Sequence, residues 1–260
     1  MILPVLHEYD MAPEVMAFSS TRHGGVGKGN YASFNINYYC GDNPDDIEAN
    51  REALCQLLGI DGSHLVYPHQ VHGDRVEVID RQWLESMSPA EKRYSLEGKD
   101  AVMTNLKEVC IGVSTADCIP VLLYDTVRHA CCAVHAGWRG TVKRIAQKAV
   151  EAMAAEYGSS PQHIKAVIGP GISLDSFEVG DEVYEQFAQA SFDMQRIARK
   201  YEKWHIDLWM CNSIQLIEMG IPEANIHVAG ICTYIQNNDF FSARRMGVNS
   251  GRIFSGLMLK

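Results

Sequence analysis

Positive charge is in short supply: 23 lysines and arginines face 32 aspartates and glutamates, for a formal net charge of -9. A surface of that sign repels nucleic acid and anionic membrane alike, so neither is an expected partner, and an anionic substrate must be gripped by locally gathered arginines. Also missing is any apolar run approaching membrane-spanning length, which argues against a transmembrane helix. The opening MILPVLHEYDMAPEVMAF lacks the basic start, continuous apolar stretch and small-residue cleavage site of a secretory leader, so the expected location is cytoplasmic. With no low-complexity tract and no Pro/Gly/Ser linker, residues 1–260 read as a single domain. The 8 cysteines lack the short-loop spacing of a zinc finger, and in a reducing compartment they read as free thiols or metal ligands rather than disulfides. Cys40, Cys55, Cys110, Cys211 and Cys232 read as buried small hydrophobes. The adjacent Cys131 and Cys132 fall on opposite faces of an expected strand.

What the chain does have is apolar content, 47% hydrophobic against 21% charged, enough for a substantial core. Three times a helical pattern ends at glycine and leads into a short strand. Residues 45–58 stop at Gly59 before Leu65 and Val66, residues 141–157 stop at Gly158 before 164–168, and residues 207–219 stop at Gly220 before 226–229. In the second, Val142, Ile145, Ala146, Ala149, Val150 and Met153 recur at helical spacing, and glycine tolerates the left-handed conformation of a helix stop. Between Ala101 and His135 the pattern changes to short β-rich runs at 101–104, 109–114, 119–124 and 130–135, with a hairpin connection at 125–128. The charged stretch 86–99 reads as a surface excursion. Strands grouped in a block, with helices not strictly alternating, favour an α+β layered domain over a doubly wound parallel sheet.

Three side chains that bind a soft divalent metal stand at turn-like places: His72 in PHQVHG, Cys118 in STADCIP and His135 in AVHAGWRG. Two neutral imidazoles and a thiolate are a donor set of catalytic zinc, which keeps a fourth position open. If PHQVHG is extended, Gln70 and His72 share one face and His69 points away, which makes His72 the better ligand and His69 a histidine satisfied by a hydrogen bond. After His135, Gly137 and Gly140 turn the chain into a helix whose first N–H groups suit an anion, and Arg139 in that turn adds a guanidinium for phosphate. Spacing alone leaves the triple open, because its ligands are scattered.

The segments TRHGGVGKGNYASFN, GDNPDDIEANR, HQVHG, STADCIPVLL, HAGWRG, GPGISLDSFEVG and CTY with FFSARR follow in that order from Thr21 to Arg245. Together they closely resemble the laccase-domain or YfiH-type family, once described as polyphenol oxidases and now regarded as purine nucleoside phosphorylases with adenosine deaminase activity. The resemblance implies an α+β fold of two packed mixed β-sheets flanked by helices, an αββα sandwich distantly related to deamidase toxins, cysteine hydrolases that use a Cys-His pair. It also implies zinc, with copper as the alternative ion, held by His72, Cys118 and His135. Two positions depart from the family pattern: Met246 follows Arg245 where an acidic residue is expected, and Lys99 precedes Asp100 where a small one is usual. Both bear on substrate contacts rather than on the metal triple.

None of the 10 histidines forms a His-X-His pair, the usual source of ligands for a three-copper cluster, so phenol oxidation is not the expected activity. The implied substrates are adenosine, inosine, guanosine or methylthioadenosine, with phosphate. Zinc brings bound water to a pKa of about 7, which suits attack at C6 of adenine. Phosphorolysis needs phosphate placed at the anomeric carbon with its charge neutralised. Arg51, Arg139, Arg244 and Arg245 are the candidates, Arg245 the weakest because adjacent strand residues face opposite ways. Asp117, beside Cys118, could orient a ligand or accept a proton. Asn35 and Gln70 could hydrogen-bond base or sugar, and Trp138 is either a stacking surface or a packing anchor. Two other readings stay open: a cytoplasmic hydrolase editing peptidoglycan precursors, with Cys118 as nucleophile and His135 as base, and a metal-storage or sensing module, which would want a fourth protein ligand. Oligomeric state is not legible in the sequence.

Overall fold

The computed structural model describes residues 2–260. Strands run β1 (Leu6–Ala12), β2 (Val15–Ser20), β3 (Leu65–Val66), β4 (Val76–Val78), β5 (Ala101–Thr104), β6 (Cys110–Thr115), β7 (Ile119–Asp125), β8 (Ala130–Ala136), β9 (Ile164–Ile168), β10 (Glu178–Val179), β11 (Ala198–Lys200), β12 (Trp204–Ile206), β13 (Ile226–Val228) and β14 (Ile253–Leu259). The helices are α1 (Pro44–Leu58), α2 (Arg81–Ser86), α3 (Pro89–Leu96), α4 (Trp138–Val142), α5 (Ile145–Tyr157), α6 (Asp181–Gln189), α7 (Met194–Ile197), α8 (Leu208–Glu218) and α9 (Ala243–Met246). One sheet has the order β1-β2-β14-β6-β3, a second β13-β9-β7-β8-β5-β4, and a small third β10-β12-β11. Both large sheets are mixed: β3 pairs parallel with β6, β13 with β9 and β4 with β5, among otherwise antiparallel ladders.

Side-chain alternation along a strand explains how these sheets stack. In β7, Leu122 and Tyr124 enter an apolar layer with Cys131 and Ala133 of β8, meeting Ile111, Val113 and Leu257 of the other large sheet. The alternate residues Ile119, Val121 and Leu123 join Cys132 and Val134 against Ala146, Ala149, Val150 and Met153 of α5 and Cys211 and Ile214 of α8. On the far side of the five-stranded sheet, Phe18, Cys110 and Phe254 pack on Leu54, Cys55 and Leu58 of α1. The order of layers is therefore helix, sheet, sheet, helix, the αββα arrangement implied by the motifs. Each fully buried aliphatic or aromatic side chain contributes about 1.5–3 kcal/mol, so the six-stranded sheet, apolar on both faces, is the stable platform. Cys131 and Cys132 do face opposite layers, and the other five cysteines read as buried hydrophobes are all buried free thiols.

The three helix stops hold as well: Gly59, Gly158 and Gly220 take φ of 71°, 66° and 89°. One expectation needs correction. The helix expected over 141–157 is two, because Arg144 adopts φ 64° and breaks α4 from α5. Its guanidinium is held by the Ala190 carbonyl at 2.8 Å and lies 3.7 Å from the Phe192 ring centroid, tertiary contacts that override helical periodicity. The charged stretch 86–99 lies at the surface as expected, and within it Ser88 and Glu91 form a reciprocal capping box that starts helix α3.

Candidate active site

Sheet register assembles the site before any side chain is considered. Pro120 pairs with His135 and Ile119 with Ala136, so continuing that ladder places Cys118 opposite Gly137. Ala101 pairs with Val134, which places Asp100 beside His135, and the His135 N–H donates to the Asp100 carbonyl at 2.7 Å. The loop carrying His72 runs into β4, which lies alongside β5 from Val76 paired with Ala101. Three distant segments thus converge at the end of one sheet, and the ligand atoms of His72, Cys118 and His135 all lie within 4.8 Å of one another.

Asp100 is the hub of this arrangement. It is fully buried, and its Oδ1 accepts from His135 Nδ1 at 2.8 Å and from the His72 N–H at 2.9 Å. Its Oδ2 accepts the N–H of Gly73 at 2.6 Å. One carboxylate therefore fixes the His135 ring and the loop of His72 together, leaving His135 Nε2 for an ion, the usual carboxylate–histidine–metal pattern. Burial works to raise the Asp100 pKa, but the His135 partner and the backbone donors hold it below the ordinary carboxylate value. Burial likewise works to raise the Cys118 thiol, yet the neighbouring His135 and His72 bring it down to about 6. His135 is opposed by burial and lifted by the Cys118 thiolate and Asp100 to about 9. The metal-free protein thus holds a thiolate–imidazolium pair.

The donor set also has room for an ion. A Cβ on Gly137 would stand 2.8 Å from His72 Cδ2, 3.0 Å from Cys118 Sγ and 3.5 Å from His135 Cε1, so glycine leaves the centre of the cradle open. Two of the six non-glycine residues in the left-handed region stand at the same place, His72 at φ 60° and Asp117 at φ 84°. The triple opens into a cleft of about 280 Å³ whose wall includes Gln70, Ser114, Thr115 and Arg252. Side-chain hydroxyls of Ser114 and Thr115 find no partner among the described residues.

The other sequence candidates sit less directly. PHQVHG is not extended, since His72 is left-handed. Gln70 donates Nε2 to the Ser114 carbonyl at 2.7 Å and accepts the Ser114 N–H at 2.8 Å, clamping the loop to β6 while lining the cleft. His69 is bonded to Glu97 at 2.7 Å and stacked on Tyr39. Asp117 does not orient a ligand histidine. Its carboxylate accepts from Thr233 Oγ1 at 2.7 Å and from the Arg244 N–H at 2.6 Å, and Asp100 does the orienting. Asn35 is buried behind the cleft, accepting the Arg252 N–H at 3.1 Å and donating to Asp42 at 2.8 Å. Arg244 and Arg245 belong to helix α9 rather than a strand, and their guanidiniums donate to the Glu178 and Tyr234 carbonyls. Exposed Arg139 lies over the Trp138 ring, which itself packs on the core as an anchor. Arg51 lines a different cavity. Sequence reasoning missed Asp100 and Arg252. Asp100 could have been found as a carboxylate immediately before an apolar strand that neighbours the His135 strand.

A four-layer αββα fold with a His, Cys, His cradle opening into a cleft defines a class of enzyme with a candidate single-ion centre. The chain belongs to the family described as multi-copper polyphenol oxidoreductase laccase, whose profile matches residues 16–260. A purine nucleoside phosphorylase of Bacteroides thetaiotaomicron is 46% identical over 245 residues, covering 93% of this chain and 90% of the relative. Adenosine deaminase RL5, from an unknown prokaryotic organism, is 42% identical over 249 residues, 95% of this chain and 94% of the relative. Among solved structures, the Bacillus licheniformis hypothetical protein YfiH superposes with a TM-score of 0.88 at 30% identity, covering 95% of this chain and 93% of that one. These likenesses span the cradle, the cleft and all four layers.

Proposed function

We propose that this chain is a zinc-dependent purine nucleoside phosphorylase, cleaving adenosine, inosine, guanosine or methylthioadenosine with phosphate, and that it also deaminates adenosine. The observation that carries the reading is the His72, Cys118 and His135 cradle opening into a cleft walled by Arg252, in a chain whose near full-length relatives bear phosphorylase and deaminase names. Held by His72, Cys118 and His135, zinc would supply Lewis acidity at the mouth of the cleft. The protein's own groups do the positioning. Asp100 keeps the His135 proton on Nδ1 and fixes the loop of His72, while Gln70 holds that loop against β6. Arg252 presents positive charge in the cleft wall, its backbone held by Asn35, and exposed Arg139 and Arg244 complete the proposed phosphate contacts. Asp117, the residue preceding Cys118, is tied to Thr233 and Arg244 through its carboxylate, so it acts by positioning. The one-ion cradle, with no second such cluster among the described residues, gives four-electron phenol oxidation little support.

Zinc-loaded protein incubated with adenosine should release adenine only when phosphate is present, and inosine in either case, as separated by chromatography. Product no greater than in Cys118→Ala would overturn the reading. One specific observation favours a second: Cys118, His135 and Asp100 are arranged as nucleophile, base and orienting carboxylate. This arrangement suits a hydrolase editing peptidoglycan precursors. Chelation separates the two, because a thiol mechanism survives metal removal and is blocked by iodoacetamide.

A further inference from the structure

Arg51 lies in a second cavity of about 330 Å³, within the range of small-molecule sites. Its walls combine the aromatic rings of Tyr38, Tyr39, Tyr67 and Trp83 with the cations Arg51, Lys92 and Arg93. Arg51 donates to the Tyr67 hydroxyl at 2.7 Å, its guanidinium 5.4 Å from the Tyr38 ring centroid and 5.2 Å from that of Tyr67. Lys92 Nζ stands 5.0 Å from the Trp83 centroid and donates to the Leu84 carbonyl at 2.7 Å. Counter-ions are scarce here. Arg51 has one loose carboxylate, Glu48 at 3.8 Å, and among the described residues neither Lys92 nor Arg93 pairs with any. In a chain of net charge -9, three cations line this one cavity with a single carboxylate, Glu48 on Arg51, among their ion-pair partners, which leaves positive charge there for an anion.

Rings for stacking beside cations short of carboxylate partners define the ligand chemically. We infer that this cavity binds a small organic anion bearing a flat ring, of the nucleoside monophosphate class, its ring against Tyr38 and Tyr39 and its phosphate toward Arg51, Lys92 and Arg93. Guanidinium and ammonium groups supply charge-assisted bonds to the phosphate, and the tyrosine faces accept any purine or pyrimidine. Tyr39 also lines the metal cleft and stacks on His69, with ring centroids 3.8 Å apart, so the two cavities share a wall. The site does not depend on phosphorylase activity, because none of its residues belongs to the metal cradle.

Calorimetric titration of the full chain with AMP, adenosine and inorganic phosphate tests the assignment. AMP should bind more tightly than either fragment. Arg93→Glu, on the exposed face of α3, should weaken both AMP and phosphate by about tenfold or more, whereas Tyr38→Ala should weaken AMP and leave phosphate alone. Cys118→Ala should leave AMP affinity unchanged, which separates this site from the catalytic cleft. Absence of AMP binding at millimolar concentration would overturn the inference. So would AMP binding that is lost in Cys118→Ala and kept in Arg93→Glu, since that pattern belongs to the metal cleft.

Discussion

Gly137 is the residue on which the cradle turns, because its missing side chain is the space an ion needs. Gly137→Ala should lower zinc affinity by at least about tenfold, since a Cβ 3.0 Å from Cys118 Sγ must push the thiolate or the His72 ring away. Competition with a chromophoric chelator reads this directly, and wild-type affinity in the alanine variant would show that the ion sits elsewhere. Proton occupancy makes a second prediction. Metal-free, Cys118 titrates at about 6 and His135 at about 9, so between those values the pair is thiolate and imidazolium. Zinc needs the thiolate and a neutral imidazole, so binding in that window should release about one proton, the one leaving His135. Affinity should then rise about tenfold per pH unit from pH 6 to 9, more steeply below 6 where Cys118 must also deprotonate, and level off above 9. Titrations in buffers of different ionisation enthalpy measure the proton count, and a value near zero at neutral pH would mean that His135 is already neutral. His72, Cys118 and His135 were legible in the sequence because imidazole and thiolate have a narrow chemistry. Asp100 was not, since a buried aspartate before a strand announces itself only when the neighbouring strand is known.

At the scale of elements, glycine was the most reliable punctuation. Gly59 ends α1 at φ 71° with no atom within 4 Å of where a Cβ would stand, so Gly59→Ala tests conformation without steric conflict. It should destabilise the fold by about 1 kcal/mol through the left-handed strain alone. A shift in the denaturation midpoint with unchanged slope is the expected reading, and no shift would mean that the stop relaxes. The break at Arg144 was illegible for the opposite reason. Its left-handed backbone is imposed by Ala190 and Phe192, more than forty residues away, and the apolar spacing from Val142 to Met153 continues through it. Arg51, Arg139 and Arg244 show the same limit: their motifs mark them as unusual, but only the fold assigns each to a cavity, a ring or a carbonyl.

For the whole molecule, the layered α+β class was legible because the β-rich block from 101 to 135 supplies β5, β7 and β8 to the middle of the six-stranded sheet and β6 to the five-stranded one. The order of strands was not, since β14 from the C-terminus enters between β2 and β6 through pairings that no local pattern encodes. That architecture decides what metal removal does. His72, Cys118 and His135 sit at one end of the sheet and outside the four apolar clusters that hold the layers together. The core should therefore survive chelation, with far-UV circular dichroism unchanged. Yet an ion that binds only the folded chain joins three segments remote in sequence, and at free zinc about a thousand times its dissociation constant it adds about 4 kcal/mol. For a domain of this size that raises Tm by roughly 10 °C. Chelation should remove the increment, and His72→Ala should abolish the difference between zinc-loaded and chelated protein. A chain that unfolds outright on chelation would make the ion part of the scaffold, and one whose Tm ignores zinc would leave the cradle without its proposed occupant.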